Sequence, residues 1–349
     1  MQQFQRGAEF VRVHYQTIII TAVIAGLASG VWNTTPGRLI QQAAPTLTFL
    51  MILSISITIT PEQLALVTRR PWVVIAGLAL NFVFMPLLCW GLASVIIDDP
   101  LLATGVMLVG VVPCAGMAAV WTALLKGDVP VSMAINALTM VLAPFLIPPM
   151  MTLLAGTSVA ISPTALFGQL LTIVVLPLGI GIVTRWWAAR RWDVRPVLAL
   201  PPAFAALMAM LLMFAVCSVN MPLILSQRAL IPALLVAVAP IFPIGFLVPH
   251  WLGRFGLTPQ ERIAVTYASG MKNLPIAAGL AFTSFAPLVA LPVALAMIAQ
   301  MLTASVLYRV LIRQVPVGAA AGGARPRGTK KGKINFNPNN TPPVSPGCP

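Results

Sequence analysis

The chain has 349 residues, of which 59% are hydrophobic and only 8% are charged, and its mean hydropathy is +0.94. So many apolar stretches of bilayer-spanning length exclude a soluble globular protein and indicate a membrane protein that crosses the bilayer several times. The formal net charge of +14 does not indicate nucleic-acid binding, because the basic residues recur in alternate loops and form no single stripe or patch.

Apolar stretches of about 15 to 25 residues predict an all-α polytopic membrane protein with ten transmembrane helices. The predicted spans are 17–32, 39–60, 71–97, 101–125, 129–154, 166–184, 198–219, 229–249, 260–285 and 287–312. The first is interpreted as a helix and not as a signal peptide, because it has no convincing cleavage signal. The predicted organisation is a cytoplasmic N-terminus at 1–16, a five-helix repeat at 17–154, a second at 166–312, and a disordered basic cytoplasmic tail at 318–349.

The positive charges predict the orientation of the chain. With the N-terminus inside, 18 of the 21 basic residues fall on the cytoplasmic side, Arg38 and Arg228 fall outside, and Lys272 lies within the membrane. This bias follows the positive-inside rule and places both termini in the cytoplasm. The expected location of this multi-pass chain is the plasma (inner) membrane.

Lys272 is the only charged residue deep inside a predicted span. Roughly 15 to 20 Å of helix separates it from either membrane surface. A lysine side chain does not comfortably cover that distance by snorkelling. A charge at this depth indicates a functional site.

Helix-breaking residues interrupt two predicted spans. The fourth contains 112–116 (VPCAG) and the ninth contains 269–273 (SGMKN). In a chain of two five-helix units these spans are equivalent elements of opposite orientation, as in inverted-repeat transporters whose site forms where two broken helices cross. The N-terminal ends of the half-helices attract anions. The alternative is that Pro113 and Gly270 are ordinary kinks.

Several segments resemble a known family. Three segments look like the fourth and fifth spans of the bile acid:sodium symporter superfamily: 113–122 (PCAGMAAVWT), 126–129 (KGDV) and 143–148 (APFLIP). The arsenite permeases belong to the same superfamily. Residues 270–273 (GMKN) resemble the Gly-Met-Gln-Asn of its broken ninth span, and Asn81 resembles a polar position before a Met-Pro pair in its third. The resemblance covers roughly residues 17–312 and implies a secondary transporter.

Departures from the family pattern bear on ion coupling. Sodium-coupled members place a glutamate, a serine-asparagine pair and a glutamine around two ions, and the matching positions here are Ala268, Ala118-Ala119 and Lys272. A hard cation needs oxygen ligands, and an added ammonium repels it. We therefore expect sodium-independent transport, in which the ammonium of Lys272 either occupies the space of one ion or exchanges a proton.

The candidate solute- or ion-binding residues combine the two breaks with the polar positions that resemble the family. They are Lys272, Asn273, Ser269, Gly270, Cys114, Gly116, Asn81, Ser132 and Asn136. The expected partners are a small anionic organic solute and the lipid bilayer. No cofactor or metal is expected, because the four cysteines show no CxxC or ligand spacing. The oligomeric state is not predicted.

Cys114 supports an alternative hypothesis. Its Pro-Cys-x-x-Met-x-x-Val-Trp pattern resembles the arsenite permeases, whose thiolate contacts trivalent arsenic, and soft ligands suit thiolates. Arsenite efflux is therefore the alternative to anion transport, and a buried apolar role is the alternative for Cys114 itself. A membrane enzyme is disfavoured, because no carboxylate or histidine lies at membrane depth and no HExxH, GxSxG or ATP-binding motif occurs.

Overall fold

The computed structural model describes residues 14–156, 163–194, 197–198, 200–226 and 229–312. Residues 1–13 and the predicted tail at 318–349 lie outside the described residues. The described secondary structure is helical apart from one isolated antiparallel bridge between Cys114 and Lys272. The prediction of an all-α protein is confirmed.

The helices are labelled in chain order. They are α1 (Tyr15–Trp32), α2 (Thr35–Gln42), α3 (Ala44–Ser56), α4 (Pro61–Arg69), α5 (Pro71–Ile96, with a π-helical turn at Leu80–Phe84), α6 (Pro100–Val111), α7 (Met117–Leu124), α8 (Val129–Ala155), α9 (Pro163–Leu170, continuing through a π-helical turn at Leu171–Val175 into Leu176–Arg191), α10 (Leu200–Ser226), α11 (Leu230–Val238), α12 (Ile241–Leu252), α13 (Pro259–Gly270), α14 (Leu274–Ser284) and α15 (Ala290–Ile312).

Capping residues set the starts of α6 and α13, the first halves of the two interrupted spans. Asp99 accepts hydrogen bonds from the backbone N–H groups of Leu101 and Leu102 at 2.9 and 3.0 Å. Thr258 and Glu261 form a reciprocal capping box. A proline follows the cap in both helices, where its missing N–H costs nothing.

Among the described residues, six helical segments are long and apolar enough to cross a membrane, and the bent pair of α2 and α3, with a 60° bend, raises the number to seven. Shorter apolar helices at Thr17–Trp32, Pro100–Val111 and Leu274–Ser284 coincide with the first, fourth and ninth predicted spans. The multi-pass architecture is therefore confirmed, whereas the ten-span inverted repeat stays a prediction.

The helices pack in two groups. The first group contains α1–α3, α9 and α10, and the second contains α4–α8 and α11–α15. Within the first group, a Cβ added to Gly26 or Gly30 of α1 would lie 2.5 Å from the backbone oxygen of Phe214 or Ser218 of α10. Small residues therefore permit close backbone approach, as is typical of membrane helices. The groups meet where α3 and α10 pack against α14, where α10 packs against α15, and where α8 packs against α9.

An ion-pair cluster joins three elements of the second group. Nη1 of Arg70 lies 2.9 Å from Oδ2 of Asp128 and 2.8 Å from Oε1 of Glu261. Arg70 precedes α5, Asp128 caps α8, and Glu261 belongs to the first turn of α13. Because the arginine side chain is half exposed, each pair contributes at most about 1 kcal/mol.

Candidate functional site

The two predicted interruptions are present and lie against each other. The backbone N–H of Ala115, between α6 and α7, donates to the carbonyl of Met271, between α13 and α14, at 2.8 Å. The N–H of Asn273 donates to the carbonyl of Pro113 at 2.8 Å. Val112 ends α6 in extended backbone, with ψ at 153°, because the α conformation is disfavoured before a proline. The breaks therefore form a short two-stranded contact.

Side chains from two other helices complete the hydrogen bonding of the breaks. Gln300 of α15 accepts from the N–H of Lys272 at 2.7 Å and donates from Nε2 to its carbonyl at 3.1 Å. Oγ1 of Thr139, on α8, accepts from the N–H of Cys114 at 3.2 Å. Irregular backbone at membrane depth is tolerated where protein groups satisfy it. These two side chains are therefore part of the reason that both helices can be interrupted.

The ammonium group of Lys272 is fully buried and surrounded by protein oxygens. Nζ donates to the backbone oxygen of Asn81 at 3.0 Å, to its Oδ1 at 3.2 Å, and to the backbone oxygen of Val112 at 3.0 Å. These three acceptors match the three donors of an ammonium. Nδ2 of Asn81 in turn donates to the carbonyl of Ala268 at 3.0 Å. The lysine therefore links the π-helical turn of α5 to both breaks.

A cavity of about 460 Å³ lies beside the joined breaks and is lined by both helix groups. Its walls are mostly apolar and include six methionines, which are Met51, Met117, Met133, Met271, Met297 and Met301. The polar residues of the lining are Thr58, Thr60, Gln63, Asn136, Arg185, Lys272, Asn273 and Gln300. An apolar cavity with a few convergent polar groups is typical of a small-molecule site.

Four of the predicted site residues line this cavity, namely Gly116, Asn136, Lys272 and Asn273. Asn81 does not line it but binds the ammonium of Lys272. Because the Nζ partners, Asn81 and Val112, are both absent from the lining, the ammonium lies behind the cavity wall.

The other predicted site residues are buried and do not belong to the cavity lining. Gly270 packs against the ring of Phe246, whose Cγ would lie 2.5 Å from an added Cβ. The hydroxyls of Ser132 and Ser269 are buried and have no hydrogen-bond partner within the described part of the chain. Such groups are rare in folded proteins.

Cys114 is likewise buried and does not line the cavity. Its Sγ lies 3.4 Å from the carbonyl oxygen of Ala115, to which it donates. In the described parts of the chain, no group of three or more His, Cys, Asp or Glu residues could hold a metal ion. The thiol is therefore packed against protein, and no such group surrounds it among the residues that the structure describes.

Gln300 and Arg185 are the main residues at this site that the sequence analysis missed. Gln300 is a buried amide within α15, and a search for amides as well as charges within the apolar spans would have found it. In the sequence, Arg185 is one of the 18 basic residues expected on the cytoplasmic side, and nothing else distinguishes it. Its place in the cavity lining depends on tertiary packing, which the linear pattern does not contain.

Two joined helix breaks beside a cavity, within a multi-pass helical protein, define a membrane transporter of small solutes. The chain belongs to the sodium bile acid symporter family, whose family model matches residues 45–227. This confirms the family resemblance found in the sequence. The match ends before the second break, so Lys272 lies outside it.

Three relatives match most of the chain, and two of them carry transporter names. A Bacillus subtilis (strain 168) protein named "Uncharacterized sodium-dependent transporter YocS" is 30% identical over 247 residues, which are 70% of this chain and 75% of the relative. "Uncharacterized protein YbaS" of the same organism is 29% identical over 246 residues, 70% of this chain and 80% of the relative. The rice protein "Probable sodium/metabolite cotransporter BASS2, chloroplastic" is 26% identical over 263 residues, 74% of this chain and 61% of the relative. The chain is therefore a transporter and not an enzyme.

Proposed function

We propose that this protein is a secondary transporter that moves a small anionic organic solute across the membrane by alternating access, without sodium. The proposal includes ten spans in two inverted repeats, at 17–154 and 166–312, with both termini in the cytoplasm of a plasma-membrane protein. The observation that carries the transport proposal is the contact between the two breaks beside a cavity of about 460 Å³. Sites of this kind serve solute binding in inverted-repeat transporters.

Sodium independence is supported by the surroundings of Lys272. Its ammonium has three oxygen acceptors at 3.0 to 3.2 Å, an arrangement that resembles the oxygen ligands of a bound cation. A charged side chain at this point repels a second cation. Ala268 and Ala118 add no side-chain oxygen, which removes ligands that sodium-coupled members use. In this respect we expect the protein to differ from relatives whose names describe sodium dependence.

We favour an organic anion over arsenite because the cavity fits the former better. The Cys114 thiol, which the arsenite hypothesis requires, is outside the cavity lining. The cavity instead offers apolar walls and the starts of α7 and α14, whose N–H groups carry partial positive charge.

Uptake into proteoliposomes tests the proposal. Organic anions that raise the melting temperature of the purified protein are identified first, since ligand binding stabilises by mass action. Their uptake is then measured in sodium and in choline buffers, with Lys272→Gln and Cys114→Ser as variants. We expect equal uptake in both buffers, a loss of uptake in Lys272→Gln, and little change in Cys114→Ser. Uptake that stops in choline would disprove sodium independence. Arsenite transport that depends on Cys114 would favour the alternative.

A further inference from the structure

Arg185 is the cavity charge that the proposed function does not yet use. Among the described residues that line the cavity, the charged ones are Arg185 and Lys272, and no carboxylate is present. The ammonium of Lys272 is already held by three protein oxygens. Arg185 is therefore the cation that remains available to a solute.

The guanidinium of Arg185 has an unused donor. Its Nη1 is buried and has no hydrogen-bond partner among the described residues. The neighbouring arginines of α9 differ, since Arg190 stacks on Trp186 at 3.6 Å and Arg191 lies 4.9 Å from the ring of Trp187. A buried donor without a partner is unfavourable, and it is retained most readily where a ligand supplies the acceptor.

The rest of the cavity fits a solute with one acidic end and an apolar body. Arg185 comes from the first helix group, whereas Gly116 and Asn273, beside the starts of α7 and α14, come from the second. The walls between them are rich in methionine, which adapts to irregular apolar shapes. An arginine fork binds a carboxylate through two parallel hydrogen bonds.

We propose that Arg185 receives the acidic group of the solute and makes this cavity selective for anions. This inference rests on the proposed transport function, and it assigns recognition of the negative charge of the solute to one residue. In this arrangement Lys272 is a built-in cation that organises the breaks, and Arg185 is the group that contacts the solute.

The test measures the charge selectivity of the cavity without a known substrate. Ala119, in the cavity wall, is replaced by cysteine in a full-length chain that also carries Cys348→Ser. We compare the rates at which an anionic sulfonatoethyl methanethiosulfonate and a cationic trimethylammonioethyl methanethiosulfonate modify this cysteine. The reaction of the chain that carries Cys348→Ser alone is subtracted. We expect Arg185→Gln to lower the anionic-to-cationic rate ratio about fivefold, because it removes a unit charge from a cavity of low dielectric. Arg185→Lys should retain most of the ratio.

Arg190→Gln is the matched control, because it removes the same charge from the same helix outside the cavity lining. It should leave the ratio unchanged. Val120→Cys, the next residue of the cavity wall, replaces the first reporter if Ala119→Cys fails to fold or to react. An unchanged ratio in Arg185→Gln, or an equal fall in Arg190→Gln, would overturn the inference. So would unfolding of Arg185→Gln alone, because a donor without a partner is not expected to hold the fold together.

Transport separates this inference from the function on which it rests. For an anion transported by the wild type, Arg185→Gln should raise KM at least tenfold, whereas Arg190→Gln should not. If no organic anion is transported but the rate ratio falls, the proposed function fails and the anion selectivity of the cavity stands. If anions are transported and the ratio does not change, the proposed function stands and the role of Arg185 is wrong.

Discussion

At the scale of single residues, Lys272 is a buried charge that the sequence locates and that protein oxygens surround. The sequence predicts a functional role for this residue, because a charge lies deep within a predicted span. The structure surrounds its ammonium with oxygens of Asn81 and Val112. Asn81 is a candidate site residue through the family resemblance, but the contacts of Nζ with Asn81 and Val112 were not predictable, because these residues lie 191 and 160 positions away in the chain. Sequence reasoning locates such a charge, but only packing identifies what satisfies it.

The first prediction is that sodium binding can be restored at this position. In the double variant Ala268→Glu with Lys272→Gln, a carboxylate and an amide replace a methyl group and an ammonium, which restores oxygen ligands of the kind a hard cation needs. We expect 100 mM sodium, compared with choline, to raise the melting temperature of the double variant by several degrees, as a ligand at about 100 times its Kd stabilises by about 2.7 kcal/mol.

The wild type and Lys272→Met provide the comparison for this measurement. Neither should respond to sodium by more than about 1 °C, because neither gains a carboxylate. A wild-type response equal to that of the double variant would show that sodium binds despite the ammonium, and the proposed sodium independence would have to be abandoned.

At the scale of helices, the breaks were predictable and their supports were not. Pro113, three residues before Gly116, and the run from Gly270 to Asn273 indicate interruption by local chemistry alone. Gln300 could have been located as an amide within an apolar span, but neither Gln300 nor Thr139 gives a local signal of its role, because an amide and a hydroxyl in apolar helices have many structural uses. Their role follows from the hydrogen bonds that they make with Lys272 and Cys114 across the fold.

The second prediction tests the support given by Gln300. Gln300→Leu keeps the approximate volume but leaves the buried N–H of Lys272 without its partner, so we expect a loss of about 2 to 4 kcal/mol in the free energy of unfolding. Thermal melting of the protein in detergent measures it. Met297→Leu, one turn earlier on α15 and also in the cavity wall, should change stability by less than about 1.5 kcal/mol. Equal stability of the two variants would show that the breaks do not depend on this amide.

At the scale of the whole molecule, the proposed alternating access requires the two helix groups to move relative to each other. The cavity is lined by both groups, and α3 packs directly against α14. Because packed interfaces change between discrete arrangements, a covalent bond across this contact should stop transport. A bond within one group should not.

The last prediction uses two cysteine pairs of nearly equal geometry. A Cβ on Gly279 of α14 would lie 3.0 Å from that of Thr48 on α3, and a Cβ on Gly110 of α6 would lie 2.9 Å from that of Cys89 on α5. Both separations are slightly shorter than the roughly 3.5 to 4.5 Å between the two Cβ atoms of a disulfide, so a small outward shift permits either bond. Oxidation of Thr48→Cys/Gly279→Cys should abolish uptake, and reduction should restore it. Gly110→Cys, which pairs with native Cys89 inside the second group, should retain uptake after oxidation. Mass spectrometry measures whether the cross-link between α3 and α14 is complete. Uptake that survives a complete cross-link would show that the two helix groups are not the moving bodies.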